Sequence, residues 1–292
     1  MKHILKYILT GAVILSLMSC ERDLFNEEHY RKIIYLKSGD NNICSYPHAM
    51  NDSVTVGYIT VGSAGSMPLE KDLFVTLEQD VSLLEEYNYR NFDMEAKYAR
   101  LLDNNRYVIP SYTAVLKAGE PSATAFLPVE VDANRLSPDT VYMIPLRIKS
   151  AEDCEINQEK EFALYRIELE NRYSSPGYRT YKMKGTRTNS SGNVSNITTN
   201  KELIPLAYNQ LRLFPESVVS STALGDINSK TIVIVVNDDN TVRIRAYKNI
   251  IVEQLEDCNY DAKLKVFVLN YRYKLSPESD WTVIRETLTR IE

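Results

Sequence analysis

The stretch Tyr142-Met143-Ile144-Pro145-Leu146-Arg147-Ile148-Lys149 decides the fold class. Tyr142, Ile144, Leu146 and Ile148 share one face of an extended chain, and the positions between them are mostly polar or tolerant of exposure. A period of two marks a half-buried strand. Pro145 has no N–H to give to a ladder, so it is expected at a sheet edge or an outward position. Outward from this strand, Leu73, Val75 and Leu77 alternate with Phe74, Thr76 and Glu78, and Ser53 to Val61 is another β-branched run. Lys32 to Lys37, Tyr112 to Lys117, Ala123 to Val131 and Glu161 to Leu169 bring the set to about seven strands, which suits an immunoglobulin-like β-sandwich over residues 31–170. One helix is expected, Asp93 to Leu102, with Asp93 as its N-cap and Met94, Tyr98 and Leu101 along one side.

The turn-rich segment 171–177, Asn171-Arg172-Tyr173-Ser174-Ser175-Pro176-Gly177, interrupts the pattern and reads as a linker between domains. Beyond it, Lys230 to Val236 is a continuous apolar run closed by Asn237-Asp238-Asp239-Asn240, and Val242, Ile244 and Ala246 then alternate with Arg243, Arg245 and Tyr247. This is a hairpin with an Asx-rich turn. Tyr178 to Thr186, Leu203 to Tyr208, Gln210 to Phe214, Lys263 to Lys274 and Trp281 to Arg290 add further strands. A lipocalin-like antiparallel β-barrel over 178–292 would protect the edges of such a meander. The whole chain is therefore expected to be all-β, with two cores.

Composition agrees with a globular chain: of 292 residues 44% are hydrophobic and 25% charged, with only 10 Gly and 11 Pro, which excludes disorder and collagen-like repeats. The net charge is −5, and more negative once the segment carrying Lys2 and Lys6 is set aside, so the basic footprint of a nucleic-acid binder is missing. Residues 1–19 read as a signal peptide, with a basic start and an apolar core from Tyr7 to Leu17 that is too short to span a bilayer. Leu17-Met18-Ser19-Cys20 resembles the bacterial lipobox, which implies acylation of Cys20 and anchorage by lipid alone. Residues 20–30, opening with Glu21-Arg22-Asp23, then form an acidic tether similar to that of surface-exported lipoproteins in Bacteroidota. Cys44, Cys154 and Cys258 lack zinc-site spacing; they allow either one Cys44–Cys154 bridge or three thiols.

Three tracts carry a wider resemblance: Tyr107-Val108-Ile109-Pro110 with Tyr112, Lys117-Ala118-Gly119-Glu120, and Tyr142 to Lys149. They resemble an N-terminal immunoglobulin-like domain of unknown function in Bacteroidota lipoproteins. Tyr181-Lys182-Met183-Lys184-Gly185-Thr186, Ile204-Pro205-Leu206 and Asn209 look like the calycin-type domain that often follows it. The resemblance implies a cell-surface lipoprotein encoded beside SusC/SusD-like importers and capturing glycans. The same first domain also precedes chitinase-like endoglycosidases, but no Asp-x-x-Asp-x-Asp-x-Glu strand occurs here.

Catalytic chemistry finds little support. Beyond the signal segment only His29 and His48 remain, Gly-x-Ser-x-Gly is absent, and Glu85-Glu86 and Asp238-Asp239 read as solvated tandem carboxylates. No metal site or cofactor is expected, and the chain reads as a non-enzyme. Aromatic side chains are the candidates for sugar contact, because a sugar's C–H face packs on a ring that also offers a polar edge. Tyr is abundant, at 20 against 7 Phe and one Trp. Tyr271 and Tyr273 share a strand face with Phe267 and Leu269, and Trp281 opens the next strand; the rings line a barrel mouth, or else pack and cap the core. Arg243, Arg245 and Tyr247 form one strand face, which suits an acidic sugar if it points into the mouth and is soluble surface if it points outward. The expectation is a monomeric, outward-facing outer-membrane lipoprotein whose barrel holds a glycan and whose sandwich is a spacer. The alternative is a surface adhesion module for protein partners.

Overall fold

The computed structural model describes residues 32–291 apart from Ser66, Pro121 and Asp153. The expected signal peptide, Cys20 and the whole tether lie outside the described residues. The described chain is nearly all β, as the alternation predicts. The first half gives β1 (Ile33–Leu36), β2 (Ile43–Ala49), β3 (Thr55–Ala64), β4 (Leu73–Gln79), β5 (Arg100–Leu101), β6 (Tyr107–Val108), β7 (Thr113–Leu116), β8 (Thr124–Val131), β9 (Tyr142–Ala151), β10 (Glu155–Ile156) and β11 (Phe162–Glu170). They form one sheet in the order β10-β1-β3-β8-β6 and a second in the order β2-β11-β9-β4-β7, with β5 beside β9. Ile34, Leu36, Ile59, Val61, Leu127 and Val129 from the first sheet meet Val75, Leu146, Ile148 and Tyr165 from the second in one core.

Two expectations are corrected here. The helix is Ser82–Asn91, and residues 93–102 are a 3₁₀ turn followed by β5. The side chain of Asp80 accepts the Ser82 N–H at 3.1 Å and so starts the helix about three turns before the segment that the sequence pattern suggested. The buried Asn88 amide donates to the Ala99 carbonyl at 2.9 Å and accepts the Ala99 N–H at 2.8 Å, holding residue 99 extended where β5 begins to pair with β9. Pro145 is the second correction: it is buried on β9, a central strand. Its carbonyl meets Asp80 N–H at 3.2 Å just past the last β4 pair, Gln79 with Leu146, so its missing N–H falls where that ladder has ended. Leu83 and Leu84 of the helix pack with Met143 and Leu164, which buries the face of β9 that the alternation left open.

The second half gives β12 (Thr180–Thr188), β13 (Val194–Glu202), β14 (Ile204–Ala207), β15 (Gln210–Leu213), β16 (Ile232–Val236), β17 (Thr241–Ala246), β18 (Ile251–Gln254), β19 (Cys258–Asp261), β20 (Val266–Lys274) and β21 (Thr282–Arg290). All belong to one antiparallel sheet, β13-β12-β21-β20-β19-β17-β16-β15-β14, with β18 on β20. It curls around a core of its own that includes Tyr181, Met183, Leu211, Ile234, Phe267, Leu269 and Leu288. No ladder joins β13 to β14 among the described residues, so the sheet is a half-barrel, and segment 214–222 lies along β13.

The two halves are joined by Arg212, which is 4% exposed and grips the Asp139 carboxylate with both Nη atoms, at 2.6 and 2.5 Å. The Tyr247 ring lies 5.0 Å from the same guanidinium. Arg179 adds a 2.6 Å bond to the Leu169 carbonyl, and Asn171 donates to the carbonyls of Ala207 and Gln210. Removing one partner of a buried ion pair strands the other. Asp139→Ala is expected to cost about 3–5 kcal/mol, read as a lower urea midpoint of the half-barrel transition.

Candidate functional site

Strand parity places an aromatic cluster on the outside of the sandwich. On β3, Ile59 and Val61 face the core, so Val56, Tyr58 and Thr60 face outward. On β8, Leu127 and Val129 face inward and Phe126 outward. The register puts Thr60 opposite Phe126 and Tyr58 opposite Pro128, which makes the two rings neighbours. Tyr58 is 41% exposed and Phe126 64%. Their centroids lie 6.2 Å apart at 78°, and Tyr46 of β2 meets Tyr58 at 6.0 Å and 75°, both favoured edge geometries. The three rings line an open groove of about 560 Å³ with Lys37, Ser38, Ser45 and Thr60 among its polar lining.

The rings are supported from behind. Tyr46 stacks on buried Tyr165 at 6.5 Å and 15°. The Tyr165 hydroxyl is 2.8 Å from His48 Nε2, and His48 Nδ1 is 2.8 Å from Thr55 Oγ1. Burial pushes the Tyr165 phenol well up and holds the His48 imidazole down to about 4, so both are neutral links. Gly57 makes room for them: a Cβ there would lie 1.8 Å from the Tyr165 hydroxyl and 2.6 Å from a Tyr46 ring carbon. Cys44, beside them on β2, is a thiol with Sγ 3.9 Å from the Tyr58 carbonyl, so the Cys44–Cys154 bridge is not formed.

The residues singled out from the sequence lie elsewhere and do not converge. Tyr271 and Tyr273 are 0% and 5% exposed inside the half-barrel, so the ligand-facing expectation for them is corrected. Their hydroxyls are committed to the protein: Tyr271 donates to Glu286 at 3.0 Å, and Tyr273 donates to Glu216 at 2.5 Å. Glu286 in turn holds the buried Lys201 ammonium at 2.7 Å, and Glu216 holds Arg187 Nε at 3.0 Å. Burial pushes both phenols up and pushes Lys201 down, the latter opposed by Glu286. Trp281 lies on the outside, with the Arg272 guanidinium 4.4 Å and the Lys274 ammonium 5.3 Å from its ring. Arg243 and Arg245 point outward, and Arg245 donates to Gln210 at 2.8 Å. Tyr247 serves the Arg212 junction. Tyr46, Tyr58 and Phe126 were passed over, although the alternation within Ser53 to Val61 and Ala123 to Val131 carried the signal for the last two.

The fold and groove define a two-domain β protein built from a sandwich and a curled antiparallel sheet. An N-terminal-domain family model matches residues 30–154 and a C-terminal family model matches residues 161–289. A multidomain protein including DUF1735 from Bacteroides ovatus shares the architecture at 13% identity over 88% of this chain and 93% of that one, with a TM-score of 0.65. A second Bacteroides ovatus protein, of unknown function, aligns at 15% identity over 88% and 92%, with a TM-score of 0.62. An auxiliary nutrient binding protein from Bacteroides thetaiotaomicron aligns at 13% identity over 86% and 92%, with a TM-score of 0.58. No curated protein matches the sequence. The chain thus has the two-domain fold of these Bacteroides proteins.

Two outcomes follow for the support behind the rings. The folded-state His48 value lies below the 6.5 of a free histidine, so its contribution is complete above pH 6.5 and fades as pH falls towards 4. Urea unfolding should show stability lower by about 2–3 kcal/mol at pH 4.5 than at pH 7 from this group, a part of the slope that His48→Gln removes. Gly57→Ala should cost about 3 kcal/mol through overpacking and flatten the near-ultraviolet tyrosine dichroism.

Proposed function

We propose that this chain is a non-catalytic glycan-binding lipoprotein of the outer membrane, and that it meets its ligand at the aromatic groove of the sandwich. The observation that carries the reading is the convergence of Tyr46, Tyr58 and Phe126 in one open concavity. Exposed rings give a sugar's C–H face something to pack on, and the neighbouring hydroxyls and the Lys37 ammonium offer polar partners to its edges. The lining contains no Asp, Glu or His, so the groove offers no carboxyl pair of the kind glycoside hydrolysis uses. Fold similarity to the auxiliary nutrient binding protein points in the same direction.

In this reading the sandwich is the binding element rather than a spacer. Acylation at Cys20 tethers it to the membrane with the groove facing the cell exterior. The tether raises the local concentration of captured glycan beside a SusC/SusD-like importer.

The test is a glycan-array and affinity-gel screen of the full-length chain in detergent. Saturable binding is expected, weakened at least tenfold, about 1.4 kcal/mol, by Phe126→Ala or Tyr58→Ala and unchanged by Trp281→Ala. Binding lost in Trp281→Ala but kept in Phe126→Ala would move the site to the half-barrel. No saturable binding to any host or plant glycan would overturn the proposal and point to protein partners.

A further inference from the structure

A second groove, of about 440 Å³, lies on the far side of the turn 38–42. Its walls include Tyr87, Arg90 and Asn91 of the helix, Asn41 and Asn42 of the turn, and Gln158 of the following loop. Tyr87 stands edge-on to Phe92, with centroids 5.9 Å apart. The side-chain amides of Asn41 and Gln158 have no hydrogen-bond partner among the described residues and stand exposed. An aromatic ring with free amides beside it resembles the first groove, but this lining also carries the carboxylates of Asp40, Glu86 and Glu159, with Glu86 paired to Arg90.

The two grooves meet at Gly39, which lines both. The ridge between them is held firmly. Lys160 Nζ binds the carbonyls of Ser38 and Gly39 at 3.3 and 3.0 Å, and the Asn42 amide donates to the Glu159 carbonyl at 2.9 Å. Asn41 and Asn42 both adopt left-handed backbone, φ 52° and 55°, which Asn tolerates better than most residues. Segment 38–42 is thus a fixed turn, and Gly39, exposed and without a side chain, belongs to the lining of both grooves. Space, more than backbone geometry, singles out this glycine: its φ is −81°, and a Cβ there would meet only the Ile43 carbonyl, at an ordinary 3.5 Å. The sandwich would accept a larger residue at position 39.

Resting on the glycan reading above, we infer that the two grooves form one trough and that its ligand is an oligosaccharide chain laid across Gly39. The Tyr46, Tyr58 and Phe126 rings hold one part of the chain, and Tyr87 with Asn41 and Gln158 holds another. A mono- or disaccharide fills only one side. Two open grooves that share a lining residue suit a linear chain, and the fixed turn between them means that little ordering cost is incurred on binding.

The experiment is calorimetric titration of the full-length chain in detergent with gluco-, manno- and xylo-oligosaccharide ladders from disaccharide to hexasaccharide. Affinity for the ladder that binds should rise at least tenfold with length. Gly39→Leu should bring the hexasaccharide down to the parent's disaccharide affinity while leaving the unfolding midpoint unchanged, and Gly39→Ala should weaken it far less. Tyr87→Ala should weaken the hexasaccharide alone. Binding that depends on Phe126 but is the same for every length, or is indifferent to Gly39→Leu, would overturn the trough and leave the glycan site standing. Absence of binding by every ladder, together with an empty glycan screen, would overturn both.

Discussion

At Gly57 the two sheets of the sandwich approach more closely than any side chain would allow. The Tyr165 hydroxyl and the Tyr46 ring occupy the volume where a Cβ would stand. That contact seats β2 against β3, and it puts the His48 and Thr55 side chains in line with the Tyr165 hydroxyl. It also fixes the ring that Tyr58 leans on, and through Tyr58 the exposed Phe126. A groove built on exposed rings would otherwise spend binding energy on ordering them. Here a buried polar chain and a missing side chain hold Tyr165 and Tyr46 in place, and Tyr58 rests against Tyr46.

The half-barrel carries its polar groups differently. Lys201, Glu286, Tyr271, Glu216, Tyr273 and Arg187 form a connected set, partly within the core, and each charge has an opposite charge beside it. Such a set contributes little net stability, but every member depends on the others, because an unpaired survivor would be costly to bury. Glu216 reaches the set from an irregular segment and adopts φ 42°, an uncommon conformation for a residue with a side chain. The half-barrel interior is therefore filled with protein contacts, whereas the sandwich leaves its rings in the open.

Much of this was legible in the sequence, and the misses have physical causes. Period-two alternation located β1, β3, β4, β7, β8, β9 and β11 and most of the half-barrel sheet, because burial on one face leaves that trace. The same parity placed Tyr271 and Tyr273 beside Phe267 and Leu269. Their partners Glu286 and Glu216 lie on other elements, and no local pattern announces them. Phe126 and Tyr58 each had a readable outward parity. What the sequence did not carry was the pairing of β3 with β8, which makes two isolated exposed rings into one surface. Strand β2 was missed because its alternation runs through Cys44, Tyr46 and His48, residues that do not advertise a core. The helix was misplaced by a tertiary effect, the Asn88 amide pairing with the backbone of Ala99.

The pairing of β2 with β11 is parallel and runs the full length of β2, from Ile43 with Leu164 to Ala49 with Glu170. His48 and Tyr165, joined side chain to side chain, are 117 residues apart in the chain. Contacts of such long range carry the loop-closure entropy that slows β-rich folding. During synthesis, β2 leaves the ribosome early and has no partner until β11 follows. Tyr46 and its backing ring therefore come together only when the last strand of the sandwich docks. Partly folded sandwiches hold an unpaired β2, a sticky edge. A chain truncated before β11 would lack the ring that backs Tyr46, so an intact groove reports that the whole sandwich has closed.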